Sequence, residues 1–228
     1  MKRFTQALLL ALFSGHVLAA TMQEVSYVDQ DAGEPPYSTR LLVIDGFMRI
    51  DDGRDQDDFV LLDIGKRRIY NVTGDRKEIL QIDAEKVLLA KPQQWNVEEE
   101  VVAVPKRGKN ARQVRISLNG TLCSQMVAVP GLMPKVVEAM RVYRETLANT
   151  QAQTFMSTPV ELRSECELIQ NVFDLDRSFK YGFPLEEEFH NGRTRHLSGY
   201  REVEIRPQLF VLPMNYRIVN MKDIRGSL

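Results

Sequence analysis

The chain has 228 residues, with 30 Lys and Arg against 31 Asp and Glu, two Cys, 43% hydrophobic residues and 27% charged ones. This is the composition of an ordinary folded domain, and it excludes a disordered chain and a disulfide-dense miniprotein. A formal charge of −1 excludes a polybasic nucleic-acid binder.

Met1-Lys2-Arg3 is a short basic start, Ala7 to Phe13 is an apolar run, and Val17-Leu18-Ala19-Ala20 is a small-residue end. That order is the pattern of a secretory signal peptide, and its apolar run is too short to span a bilayer. Residues 1–20 are therefore expected to be removed after Ala19 or Ala20, which makes the protein periplasmic. No Cys at that point can take a lipid anchor, and no later apolar run is long enough to cross a membrane. Loss of Lys2 and Arg3 leaves 28 basic against 31 acidic side chains, a formal charge of −3. Residues 21–219 read as one domain.

Strand patterns dominate residues 22–118. Tyr37 to Asp45 ends at the hairpin signal Asp45-Gly46, and Phe47 to Ile50 follows. After an Asp-rich turn over 51–58 come Phe59 to Ile64, Arg68 to Val72 and Glu78 to Ile82, separated by turns at Gly65-Lys66 and Gly74-Asp75. Strands joined by such short turns form an antiparallel meander. Glu98 to Val104 and Gln113 to Leu118 add two more, and Asn119-Gly120 is a hairpin signal leading into a strand with Cys123.

The pattern changes at Pro130. Pro134 suits the first turn of a helix, and Val136, Met140, Tyr143 and Leu147 recur at helical spacing. A second helix is expected from Thr158-Pro159-Val160-Glu161, a capping box, with Leu162, Cys166, Ile169 and Phe173 along one face. Cys166 then points at the core, where the strand carrying Cys123 can meet it. An even Cys count in an exported protein reads as one disulfide, pinning the helical insert to the sheet.

Strand returns near residue 183. Phe183 to His190 and Arg193 to Leu197 flank Asn191-Gly192, expected to be a two-residue loop that places Glu188 opposite Arg195 and Glu187 opposite His196. Gly199 marks a bulge or break before Tyr200 to Arg206, and Leu209 to Pro213 closes the domain. Residues 220–228 read as a polar tail. The fold class is therefore α+β: a curled antiparallel β-sheet, an incomplete barrel, with a two-helix insert covering its open face.

Several segments carry a family resemblance. They are Phe47-Met48-Arg49-Ile50-Asp51, Phe59-Val60-Leu61-Leu62-Asp63 and Arg68-Ile69-Tyr70-Asn71-Val72 in the meander, Gly182-Phe183-Pro184-Leu185 at the start of the late sheet, and Pro207 to Tyr216 near the end. With the leader, they resemble the LolA/LolB-like periplasmic half-barrel family, and most closely its outlying members. The resemblance implies an incomplete barrel with a helical lid that holds an acyl chain or an apolar partner.

Leu42, Ile44, Met48, Ile50, Val60 and Leu62 alternate on neighbouring strands and are candidates to line an apolar, lipid-facing cavity. Met126, Met133, Met140 and Met156 fall within 31 residues, and flexible thioethers suit varied apolar partners, so Met133 and Met140 join the candidate lining. The acidic run Asp51 to Asp58 lacks the EF-hand order and reads as a solvated hairpin tip. Glu186, Glu187, Glu188, His190 and His196 on the late hairpin can be read as a metal or acid–base group, but Arg193 and Arg195 supply ion pairing instead. No catalytic residue, metal or cofactor is assigned. The expected function is a non-catalytic binding or carrier protein for a lipid or other apolar ligand. The alternatives are an envelope module that docks a protein partner and, third, a hydrolase or metalloenzyme.

Overall fold

A computed structural model describes residues 20–55, 58–221 and 223. The leader and most of the expected tail lie outside these residues. The meander is β1 (Thr21–Gln30), β2 (Tyr37–Ile44), β3 (Phe47–Asp51), β4 (Phe59–Asp63), β5 (Arg68–Thr73) and β6 (Glu78–Asp83). β7 (Val97–Ala103), β8 (Arg112–Leu118) and β9 (Thr121–Val129) precede the helical insert, and β10 (Phe183–Phe189), β11 (Thr194–Glu204) and β12 (Arg217–Asn220) follow it. All belong to one 12-stranded sheet of order β12-β6-β5-β4-β3-β2-β1-β11-β10-β9-β8-β7. Its two ends do not meet, so the fold is α+β with an incomplete barrel. Every pairing is antiparallel except β12 with β6, which is parallel.

Turn chemistry sets the registers. Asn119 and Gly120 both have positive φ, 51° and 81°, the type I′ geometry in which Leu118 pairs directly with Thr121. The expected irregularity at Gly199 is a bulge: Ser26 pairs with Gly199 and Tyr27 with Leu197, so Ser198 is the extra residue. At Gly182 (φ 110°) an added Cβ would stand 2.3 Å from the Val129 carbonyl oxygen, so only glycine lets the chain enter β10 against β9.

The insert begins as expected, with Pro134 opening α1 (Pro134–Ser157). Val136, Ala139, Met140 and Val142 of α1 pack on Val25, Tyr27, Leu41, Val43, Met48, Leu62 and Ile69 of the sheet. The second helix does not start at Thr158. Thr158 instead caps the end of α1, because a residue preceding proline is pushed out of the helical region. After a 3-10 turn at Val160–Leu162 the short α2 (Glu165–Leu168) is capped by Ser164, which accepts from the Glu167 amide, and it runs on into a π turn at Ile169–Phe173. Leu162, expected on the buried face, is 71% exposed.

Cys123 of β9 and Cys166 of α2 form the expected disulfide, with Cα atoms 5.1 Å apart, among Leu118, Ile169 and Trp95. It closes a long loop between the sheet and the cover.

The outer face of the meander is covered by chain. Residues 209–213, expected to close the domain, begin within a 3-10 turn at Pro207–Phe210 that lays Leu209 and Phe210 on Met22, Leu42, Phe59, Leu61, Val72 and Ile79. Arg49 is buried there, over the Phe59 ring at 3.8 Å and donating to the Leu209 carbonyl at 3.0 Å. Asp51, expected at a solvated tip, is also buried and takes charged hydrogen bonds from Arg49 at 2.7 Å and Arg40 at 2.8 Å. The expected tail begins later than predicted, since Asn220 ends β12 and Met221 packs on the main core.

Bridging positions 43 apart stabilises a fold by about 4 kcal/mol on the chain-entropy model. The Cys123→Ala/Cys166→Ala double variant should therefore lose roughly 2–4 kcal/mol in equilibrium urea unfolding. An unchanged midpoint would show that the bridge constrains nothing the core does not already hold.

Candidate functional site

Strand register decides which predicted cavity residues share a face. Met48 pairs with Leu62 and Val43, and Ile50 pairs with Val60 and Leu41. Side chains directly opposite one another project to the same side, so Met48, Ile50, Val60 and Leu62 lie on the helix-facing side with Leu41 and Val43. Leu42 and Ile44 do not. They pair with Arg49 and Phe47 and face the outer core under Leu209 and Phe210. Leu41-Leu42-Val43-Ile44 is apolar at every position because both sides of β2 are covered. Alternation therefore could not show which pair points inward. Met133 and Met140 both pack on the inner core.

A cavity of about 430 Å³ opens between α1, the inner side of β2 and β3, the α2 segment and the β10–β11 hairpin. Of the predicted lining, Met48, Ile50 and Met140 reach it, joined by Leu41, Tyr143 and Leu147. Val60, Leu62 and Met133 lie in the packed core beside it. Toward β11 the wall becomes polar, with Arg144, Arg193 and Arg195, and Gln170 and Asn171 from the π turn.

Behind these arginines lies a desolvated charge cluster. On β1, Val25, Tyr27 and Asp29 share the inner side, and Asp29 is wholly buried. Arg195 of β11 pairs with it across the strands and donates to both its carboxylate oxygens, at 2.8 and 3.1 Å. Arg193 stands 3.5 Å from the same carboxylate. Glu187 of β10 is also buried and lies 3.4 Å from Arg144 and 3.7 Å from Arg195. Arg144 projects from α1, stacks over Phe179 at 4.6 Å and donates to Ser178 at 3.1 Å.

The titration of these groups follows from burial and pairing. Burial opposes the charge on Asp29, but the hydrogen bonds and charge of Arg195 outweigh it, with help from Thr39 and Arg193. Its pKa therefore lies below that of an ordinary aspartate. Burial also opposes the charge on Arg195, and Glu187 and Asp29 reverse that, holding its pKa above the usual value. Arg144 goes the other way: burial lowers its pKa and the charge of Glu187 does not make up the difference. Tyr27, which donates to the Pro184 carbonyl at 3.1 Å, is held neutral by burial and by the nearby Glu187.

The late hairpin is shifted by one residue from its expected register. Glu187 pairs with Arg195, Glu186 with His196 and Glu188 with Thr194, because Phe189 and Arg193 close a three-residue loop in which Gly192 takes φ 82°. That shift is what turns Glu187 and Arg195 to the cavity side together. His190, in the loop, is hydrogen-bonded through Nε2 to Ser164 Oγ at 2.6 Å, and its amide donates to the Cys123 carbonyl at 2.9 Å. The Asn191 side chain donates to Glu167 at 3.3 Å. Together with the disulfide, these contacts clip α2 to the hairpin tip at the cavity mouth. Among the described residues, no three His, Cys, Asp or Glu side chains gather in a metal-binding cluster, and no helix is long and apolar enough to cross a membrane.

The sequence candidates omit Arg144 and Asp29 and include Glu187 only as part of a metal or acid–base group on the late hairpin. The clearest signal was Arg144 itself, a charged residue between Met140 and Leu147 on the apolar stripe of α1. Asp29 continues the inward alternation of Val25 and Tyr27 in the same way.

No family model matches the chain, and no curated protein matches it. Among solved structures it is similar to PNGF-II, described in a C2 and a P21 crystal form, with TM-scores of 0.45 and 0.44 and 10% identity. The match covers 91% of this chain but 32% and 33% of those chains, so this chain spans about a third of their length.

Because the pKa of Asp29 is depressed in the fold, its stabilising contribution is full above the ordinary aspartate value, near 4, and is lost as pH falls through the folded value. Removing one member of a buried ion pair costs about 3–5 kcal/mol. Asp29→Asn should therefore lower stability by that order at neutral pH and show a smaller further drop between pH 5 and pH 2 than the parent. Parallel acid dependence of the two in urea unfolding would refute the pairing.

Proposed function

We propose that the protein is an exported, periplasmic binding or carrier protein for a lipid or another apolar ligand, in the manner of the LolA/LolB-like half-barrels it resembles in sequence. The observation that carries this reading is the space of about 430 Å³ left between α1 and the sheet, bordered by Leu41, Met48, Ile50, Met140 and Leu147. Its volume falls in the range of small-ligand sites, and two of its apolar walls come from flexible methionines. The secretory pattern of residues 1–20 and the disulfide support export, since such bonds persist in oxidising compartments.

A second reading rests on a different observation. Among the described residues β7 is the far edge of the sheet, paired with β8 alone, and Val101 and Val102 on it are exposed. Such an edge can take an added strand from a protein partner. Crosslinking in cells followed by pull-down separates the two readings, because one dominant protein partner without lipid favours the edge.

The carrier reading predicts that gently purified protein retains lipid by native mass spectrometry. It also predicts that an apolar fluorescent probe brightens on binding and is displaced by that lipid. Leu147→Trp, which fills the cavity from α1, should weaken probe binding by about tenfold while the melting temperature stays near the parent value. No co-purifying lipid together with no probe response overturns the reading.

A further inference from the structure

We infer that the β11 side of the cavity is a head-group subsite for an anion, so that the preferred ligand is a single-chain amphiphile with one carboxylate or phosphate. This rests on the apolar-ligand reading above and adds the head-group class to it.

The cavity changes character along the order of the strands. On β3 and β2 its wall is Met48, Ile50 and Leu41, and α1 adds Met140. Across β1 it is Arg195 on β11 and Arg193 just before that strand, with Arg144 facing them from α1. The carboxylates that balance these cations, Asp29 and Glu187, are fully withdrawn from solvent at 0% and 3% exposure and do not border the cavity. The guanidinium groups therefore stand between the carboxylates and the open space. Asp31, 3.8 Å from Arg193, is half exposed, and Glu167 borders the mouth, where the Asn191 side chain holds it.

The cations are not fully answered. Arg193 Nε and Gln170 Nε2 are buried donors with no hydrogen-bond partner. Glu187 Oε2 is also without a hydrogen bond, but it lies 3.7 Å from Arg195 and so has its charge opposed. Arg144 shares Glu187 with Arg195 at the long distance of 3.4 Å, and burial still prevails over that pairing. Unmatched buried donors are costly, and a guanidinium fork matches the planar oxygens of a carboxylate or the oxygens of a phosphate. An anion at this end meets the guanidinium side of Arg144, Arg193 and Arg195, which border the cavity, and offsets the desolvation of Arg144. A chain leading from it toward β3 passes Thr39 of β2 and then meets Leu41, Met48, Ile50 and Met140.

The test uses lipid-stripped protein and isothermal titration with four probes: myristate, methyl myristate, acetate and inorganic phosphate. The expected result is that myristate binds at least about tenfold more tightly than its methyl ester, with acetate and phosphate far weaker than myristate. Arg193→Gln, at a partly exposed position, should remove most of that preference by weakening myristate far more than methyl myristate. Equal affinity of myristate and methyl myristate overturns the head-group inference and leaves the apolar reading standing. Acetate or phosphate binding as tightly as myristate supports the anion subsite and overturns the apolar reading. Binding of none of the four overturns both. The comparison of acid with ester in the parent protein needs no variant, so it holds even if Arg193→Gln fails to fold.

Discussion

The buried meeting of Asp29, Arg195, Glu187 and Arg144 is the constraint around which the inner face is arranged. A charge taken out of water is tolerated only with a close counter-charge and further hydrogen bonds. Here that condition ties β1 to β11, β11 to β10 and β10 to α1, all within one layer of side chains. It fixes how far α1 can settle on the sheet, because Arg144 must reach Glu187 while Met140 and Val136 reach the apolar floor.

The strands and hairpins were largely legible in the sequence because turn residues punctuate them. Asn119-Gly120 and Gly199 behaved as their chemistry requires, and Pro134 opened α1. What failed did so for identifiable reasons. The Leu41-to-Ile44 run gave no inward phase because both sides of β2 are covered. The late hairpin slipped by one residue, since Asn191-Gly192 serves a three-residue loop as readily as a two-residue one, and that slip carried Glu187 from His196 to Arg195. Asp51 reads as solvated from its acidic neighbours, although Arg40 opposite it on β2 and Arg49 two residues before it on β3 share its face and answer it.

The charge balance also means something different in place than in sum. A slightly acidic chain gives no reason to expect anionic ligands, and the overall field offers none. Acidic side chains withdrawn behind arginines leave a local surface of the opposite sign, which no composition figure can contain. The disulfide has a comparable local meaning. It holds α2 on β9 beside the hairpin tip, so Gln170 and Asn171 of the following π turn stay at the cavity wall.

The position of β1 has a consequence for how the chain comes together. It is the first strand described, yet it lies inside the sheet, flanked by β2 and by β11, with Thr21 paired to Glu204. Its second neighbour is thus made almost at the end of the chain. Until β11 arrives, β1 presents an open edge of backbone donors and acceptors, with Asp29 lacking the guanidinium that neutralises it. Pairing across such a separation is slow to form, and open edges invite the wrong partner. The carboxylate of Asp29, hydrated while unpaired, is an inward-pointing charge of the kind that blunts an open strand edge against another hydrophobic strand.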